Sequence, residues 1–200
     1  MTEKCYDADE GLEATSLAAW KRCRPLLQSE RDRLLALGIS SIACERDADR
    51  GGYALRAARV LFEDPHFYFS WENPWGEMVD AIILVVRDDF REVVDLAAFE
   101  LGSARSAVWQ GRASMLGQYN LNRATLGQPI VAHETWVEWL SAERTGVCIL
   151  DAGRARQTQL PSATIAVRTI DFGRRLKAML TSPPPMIVIA RKDLGEGDRQ

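Results

Sequence analysis

A chain of 200 residues, 46% of them hydrophobic, can bury one substantial core with an extension, or two small modules, and is not globally disordered. No run approaches the roughly 18 apolar residues of a membrane span, and the opening MTEKCYDADE lacks the basic-then-apolar layout of a signal peptide. The four cysteines (Cys5, Cys23, Cys44, Cys148) form no C-x-x-C pair, so a reduced cytoplasmic protein without membrane contact is expected. The net charge of −3 hides an asymmetry: between Arg144 and Lys192 nine Lys/Arg face only Asp151 and Asp171, a surplus of seven over an acidic remainder. Such a surplus points either to polyanion contact or to ordinary solvated helix faces.

In chain order, helical character starts near Glu10, with Leu12, Trp20 and Cys23 on a loose apolar stripe. Pro25 cannot sit inside a helix, so a break falls there and Pro25 is expected to open a second helix. In that helix Leu27, Leu34 and Leu37 share a face, Glu30 to Arg33 point outward, and Gly38 is the C-terminal stop. Residues 1–38 therefore read as a helical arm that either packs on the rest of the chain or offers a surface to a protein partner.

Residues 39–117 read as an antiparallel meander of about five strands. ISSIACE and YALRAARVLFE flank a hairpin turn at Gly51–Gly52, and the change of phase after Ala57 predicts a bulge near Ala58. FYFSWE alternates Phe67, Phe69 and Trp71, and Asn73-Pro74-Trp75-Gly76 is a turn. EMVDAIILVVR and EVVDLAAFEL follow. Asp80 and Asp95 stand at matching points of these last two strands, where they either share a metal or proton, or face water at a polar strand start. A loop with room for a single helical turn, rich in Gly and Asn (Gly117, Asn120, Asn122, Gly127), marks the module boundary near 118–127.

From 127 to 192 short apolar runs alternate with amphipathic helices: PIVAH, a helix from Glu134, GVCILD, a short polar helix, TIAVR, a helix from Ile170, and MIVIAR. That order predicts an α/β module with a mostly parallel sheet of four strands at 129–133, 147–150, 164–168 and 186–190, separate from the meander. The whole chain is then α+β overall, closing on a charged, disordered tail at 193–200.

Phosphate-cradling, dinucleotide and nucleophile-elbow motifs are missing, and His66 and His133 stand at no metal-ligand spacing. Cys148 is either a nucleophile beside His133 or a small buried hydrophobe within GVCILD. Trp136 and Trp139 read as core on their helix. Glu134, where the chain leaves its first parallel strand, is the best-placed carboxylate, because open α/β sheets bind ligands beyond the carboxyl ends of their strands. Asp151 and Asp171 are its candidate companions around a metal.

The order strand–Glu–helix, strand, strand–acidic loop–Gly-Arg–helix, strand resembles the toprim domain of primases and topoisomerases, closest to the primase-type proteins of phages and plasmids. Glu134 takes the position of that family's first glutamate, with Thr135 in place of the usual Gly. Gly173 and Arg174 match the end of its D-x-D-x-x-G-R signature, but Arg168 and Ile170 stand at the two aspartate positions and Asp171 is out of register. The resemblance implies a fold and a nucleic-acid setting on a mobile element such as a prophage. An arginine at a ligand position repels magnesium, so no metal or other cofactor is expected. Three readings follow: a catalytically degenerate toprim-like accessory that meets phosphate weakly and non-specifically through Arg168, Arg174, Arg175 and Lys177; a protein-interaction module; and a metal-dependent hydrolase or nuclease using Glu134, Asp151 and Asp171.

Overall fold

The computed structural model describes residues 7–45, 53–73, 75–103, 105–123 and 128–181. Helix α1 (Asp7–Arg22) leads into a two-residue strand β1 (Arg24–Pro25), and α2 (Gln28–Ala36) and α3 (Ser41–Glu45) follow. The break at Pro25 falls where expected, but Pro25 lies in β1, opposite Arg56, and not at the start of a helix. Instead α2 starts after Leu27, whose N–H donates to the Glu30 carboxylate at 2.8 Å. Glu30 also grips Arg24 through two bonds of 2.7 Å and is buried, so it does not point outward. Burial pushes its carboxyl up; Arg24 and the Leu27 N–H outweigh that and hold it below its ordinary value. Only Leu34 of the expected apolar face is buried, while Leu27 and Leu37 are exposed.

The stop at Gly38 is of the Schellman type: Gly38 N–H donates to Leu35 O at 2.9 Å and Ile39 N–H to Leu34 O at 3.0 Å, with Gly38 at φ +82°. The expected strand ISSIACE is instead α3, because Ser40 Oγ accepts from Ala43 N–H at 3.1 Å and caps a helical turn. The hairpin at Gly51–Gly52 lies outside the described residues.

Five strands do follow, β2 (Arg56–Glu63), β3 (His66–Phe69), β4 (Val79–Arg87), β5 (Val93–Glu100) and β6 (Ser106–Val108), but they are not a simple meander. β4 pairs with β5 on one side and with β2 on the other, and β6 joins β5 antiparallel and β3 parallel, so the sheet closes on itself. One face gathers Ala58, Val60, Phe67, Phe69, Ala81, Ile83 and Ala98, with Trp20 of α1 and Cys23 just beyond it packed among them. The opposite face carries Ala57, Ile82, Leu84, Val86, Ala97 and Phe99. Closure explains the phase change in β2: Ala57 and Ala58 are both buried, on opposite faces, and pairing with β4 runs through them without interruption. The register irregularity falls at Val86/Arg87 instead. α1 packs on the closed sheet through Ala19 and Trp20, the packing alternative for the helical arm.

The second sheet has the order β10-β8-β9-β7. Its parallel strands β8 (Ile130–His133), β9 (Val147–Ile149) and β10 (Ile165–Ala166) match the expected positions, with α4 (Trp136–Ser141), α5 (Ala152–Ala155) and α6 (Ile170–Leu180) between and after them. The fourth expected strand, 186–190, lies outside the described residues. The far edge is β7 (Met115–Leu116), antiparallel to β9, so the α/β sheet begins before the predicted boundary at 118–127. That stretch holds a 3-10 turn, Gln118–Arg123. Its Asn120 side chain donates to Gly146 O at 2.8 Å. Gly146, at φ +72°, must be glycine, because a Cβ there would sit 2.3 Å from Val131 O.

The two sheets are not separate units. Leu116, Trp136, Trp139, Leu140 and Cys148 share one buried cluster with Leu34, Ile39, Ala43, Ile82, Leu84 and Phe99. Trp136 stacks on Phe99 with ring centroids 4.8 Å apart. Across the same seam the buried Arg144 donates from Nε and Nη2 to Ala43 O at 3.2 and 2.7 Å, and from Nη1 to Tyr53 O at 3.4 Å.

Candidate functional site

The chain passes from β8 to β9 on one side and then crosses back to β10 on the other, so the direction of winding reverses between β8 and β10. Beyond the carboxyl ends of these two strands lie Glu134 and Thr135 after β8, and Arg168 and Thr169 after β10. Both threonines are helix caps. Thr135 Oγ1 accepts from Glu138 N–H and Thr169 Oγ1 from Phe172 N–H, each at 3.2 Å. Glu138 Oε2 in turn accepts from Glu134 N–H at 2.9 Å, a capping box displaced by one residue. The Thr at 135 thus has a local task that glycine lacks a side chain to perform.

Carboxylates and guanidinium groups meet across this crevice. Glu134 Oε1 is bound directly by Arg175 Nη2, and Glu138 Oε1 lies 3.9 Å from Arg168 Nη1. Asp171 and Arg174, neighbours on the surface of α6, are 3.4 Å apart. Three arginines and three acids therefore balance at the edge of the sheet. Two of those acids, Glu134 and Glu138, precede the basic stretch in sequence yet lie inside it in space.

The other expected residues lie elsewhere. Asp151 caps α5, accepting from Gly153 N–H at 2.7 Å and Arg154 N–H at 3.1 Å. Lys177 sits roughly 10 Å along α6 from its first residue, by the 1.5 Å rise per residue, and lines a groove beside β10. Arg144 is buried, and Arg156 Nε donates to Met179 O at 2.6 Å near the end of α6. The sequence-level surplus of positive charge is thus largely engaged within the fold.

The toprim resemblance implies magnesium, and these residues do not fit it. Glu134 is held by a guanidinium, Arg168 stands where the resemblance would require a ligand, and Asp171 lies against Arg174. Among the described residues no group of three or more His, Cys, Asp or Glu could hold a metal ion. Titration with magnesium or manganese is expected to show no binding tighter than about 1 mM at this edge. Micromolar affinity abolished by Glu134→Ala would restore the metal-dependent reading.

Nucleophilic catalysis by Cys148 is also poorly served. Burial pushes its thiol up to about 12, far above the range of a reactive thiolate. His133, opposite Cys148 in the strand register, is engaged at Nε2 with Thr145 O at 3.0 Å. That carbonyl requires Nε2 to carry the proton, and burial pulls the imidazole below its ordinary range.

Asp80 and Asp95 do not form a pair. Asp80 is exposed, 3.5 Å from Arg24. Asp95 is fully buried and accepts from four backbone N–H groups: Leu96 at 2.8 Å, Gln110 at 2.9 Å, Arg112 at 2.7 Å and Ala113 at 3.2 Å. A lone Asp at a strand start gives no sequence signal of that role. Compared with protein-family models, curated proteins and solved structures, the chain finds no match in any of the three.

Proposed function

We propose that this protein is a catalytically inactive, toprim-like accessory to nucleic-acid transactions of a mobile element, contacting phosphate with arginine where related domains hold a metal. The Glu134–Arg175 pair across the reversal between β8 and β10 carries the reading. It gives the glutamate a partner that excludes a divalent cation and keeps a guanidinium at the mouth of the crevice. The side chains of Arg168, Arg174 and Arg175 are 75%, 78% and 56% exposed, so a phosphodiester can compete with the carboxylates for them. Because each arginine starts out paired, binding is weak, indifferent to sequence and strongly salt-dependent. Reversing Arg168 and Arg174 to glutamate together is expected to flatten the plot of log affinity against log salt by about two. Reversing Arg31 and Arg33 on α2 leaves it unchanged. A wild-type protein that binds neither single- nor double-stranded nucleic acid at low salt overturns the proposal.

A second reading, a module that docks another protein, has its own support. Leu27, Leu35, Leu37 and Ile42 on and beside α2 and α3 are 43–56% exposed, whereas α1 is already packed. Replacing Leu35 and Ile42 with Lys leaves nucleic-acid affinity unchanged under the first reading and abolishes partner capture under the second.

A further inference from the structure

The seam between the two sheets is not filled at the carboxyl ends of β8 and β9. A cavity of about 390 Å³ remains there, walled by residues of both sheets, and small-ligand sites span roughly 300–1,000 Å³. Its apolar wall includes Phe99 of β5, Trp136 of α4, stacked on that ring, and Leu150 just past β9. Ser106 of β6 supplies a hydroxyl: it stands opposite Phe99 in the β5–β6 register, so both side chains leave the sheet on the same side. Glu134 also lines the cavity, while its Oε1 is held by Arg175 Nη2. That one carboxylate therefore borders the cavity and the arginine cluster together.

We propose that this cavity seats one nucleobase of a single strand whose phosphates meet Arg168, Arg174 and Arg175. The inference rests on the nucleic-acid reading and adds to it a demand for unpaired bases. Charge decides which part of a nucleotide enters. The Glu134 carboxylate repels a phosphate from the cavity, whereas a neutral base carries no such penalty and the phosphate stays with the guanidinium groups outside. A base in a duplex is stacked and paired, so only an unpaired nucleotide can place its base in a pocket. Apolar and aromatic walls suit the flat faces that all bases share, which keeps the site tolerant of sequence. For the base edge, the Ser106 hydroxyl can donate or accept, and Glu134 has a second oxygen beyond the one Arg175 holds.

The test compares the affinity of the full chain for a short single strand of mixed sequence with that for an abasic strand of the same length and charge, at low salt. The base-bearing strand should bind about tenfold more tightly, the scale of one stacked base. Ser106→Trp fills the cavity from a strand position, where aromatic residues are well accepted, and should erase that ratio. A circular dichroism spectrum like that of the wild type shows that the variant is folded, and the wild-type comparison decides the proposal without it. Equal affinities in the wild type overturn the base seat and leave the arginine contacts standing. A ratio that survives in folded Ser106→Trp places the base elsewhere and also overturns it. Binding of neither strand overturns the nucleic-acid reading, and this inference with it.

Discussion

Asp95→Ala should lower stability by about 4 kcal/mol, which for a chain of this length is about 10 °C in Tm. The side chain is fully buried and is the acceptor for four backbone N–H groups. Three of them, from Gln110, Arg112 and Ala113, belong to the turn that takes the chain from β6 toward β7. That turn carries the chain from the closed sheet into the α/β sheet, so Asp95 fixes how the second sheet leaves the first. Alanine strands these donors away from water, and each orphaned buried group costs about 1–3 kcal/mol before relaxation. Asp95→Asn should lose about half as much, because its carbonyl oxygen still accepts while its NH2 opposes the remaining donors. Thermal unfolding by circular dichroism reads both. A loss below about 1 kcal/mol for the alanine variant would show that water replaces the carboxylate freely.

Arg144→Ala is expected to cost about 3 kcal/mol, and Arg144→Lys about 2. The guanidinium reaches three hydrogen bonds onto the carbonyls of Ala43 and Tyr53 from within the seam between the sheets. Lysine keeps the charge but cannot present a planar fork to two carbonyls at once. Since Trp136, Leu140 and Cys148 share a core with Ile82, Leu84 and Phe99, unfolding should remain a single transition in both variants. Two resolved transitions in wild-type protein would contradict the shared core.

The parallel strands β8, β9 and β10 and the helices α4 and α6 were legible because each apolar run is bounded by its own turn or cap residue. Gly38 was legible for the same reason: the stop is local. The closed sheet was not. A period-two reading assumes one wet face, and closure buries Ala57 and Ala58 on opposite sides of one strand. ISSIACE carries strand-forming isoleucines, but Ser40 and the buried Ala43 and Cys44 settle it as a helix, and that burial depends on elements distant in sequence. Charge was misjudged in the same way. Glu134 lies 41 positions from Arg175, so a window starting at Arg144 counts the cation and misses its anion. Asp95 reads as a surface or metal-binding acid because three of its four donors arrive 15 to 18 residues later along the chain.

In the proposed function Glu134 and Glu138 restrain arginines and do not hold a metal. The direct measurement is the affinity of Glu134→Gln/Glu138→Gln for a short single-stranded oligonucleotide, over a salt series and with a chelator present. Freeing Arg175 and Arg168 from their carboxylates should tighten binding about tenfold at low salt and steepen the salt dependence by about two ions. Unchanged or weaker binding, or binding that needs magnesium in the wild type and is lost in the double variant, would contradict the account.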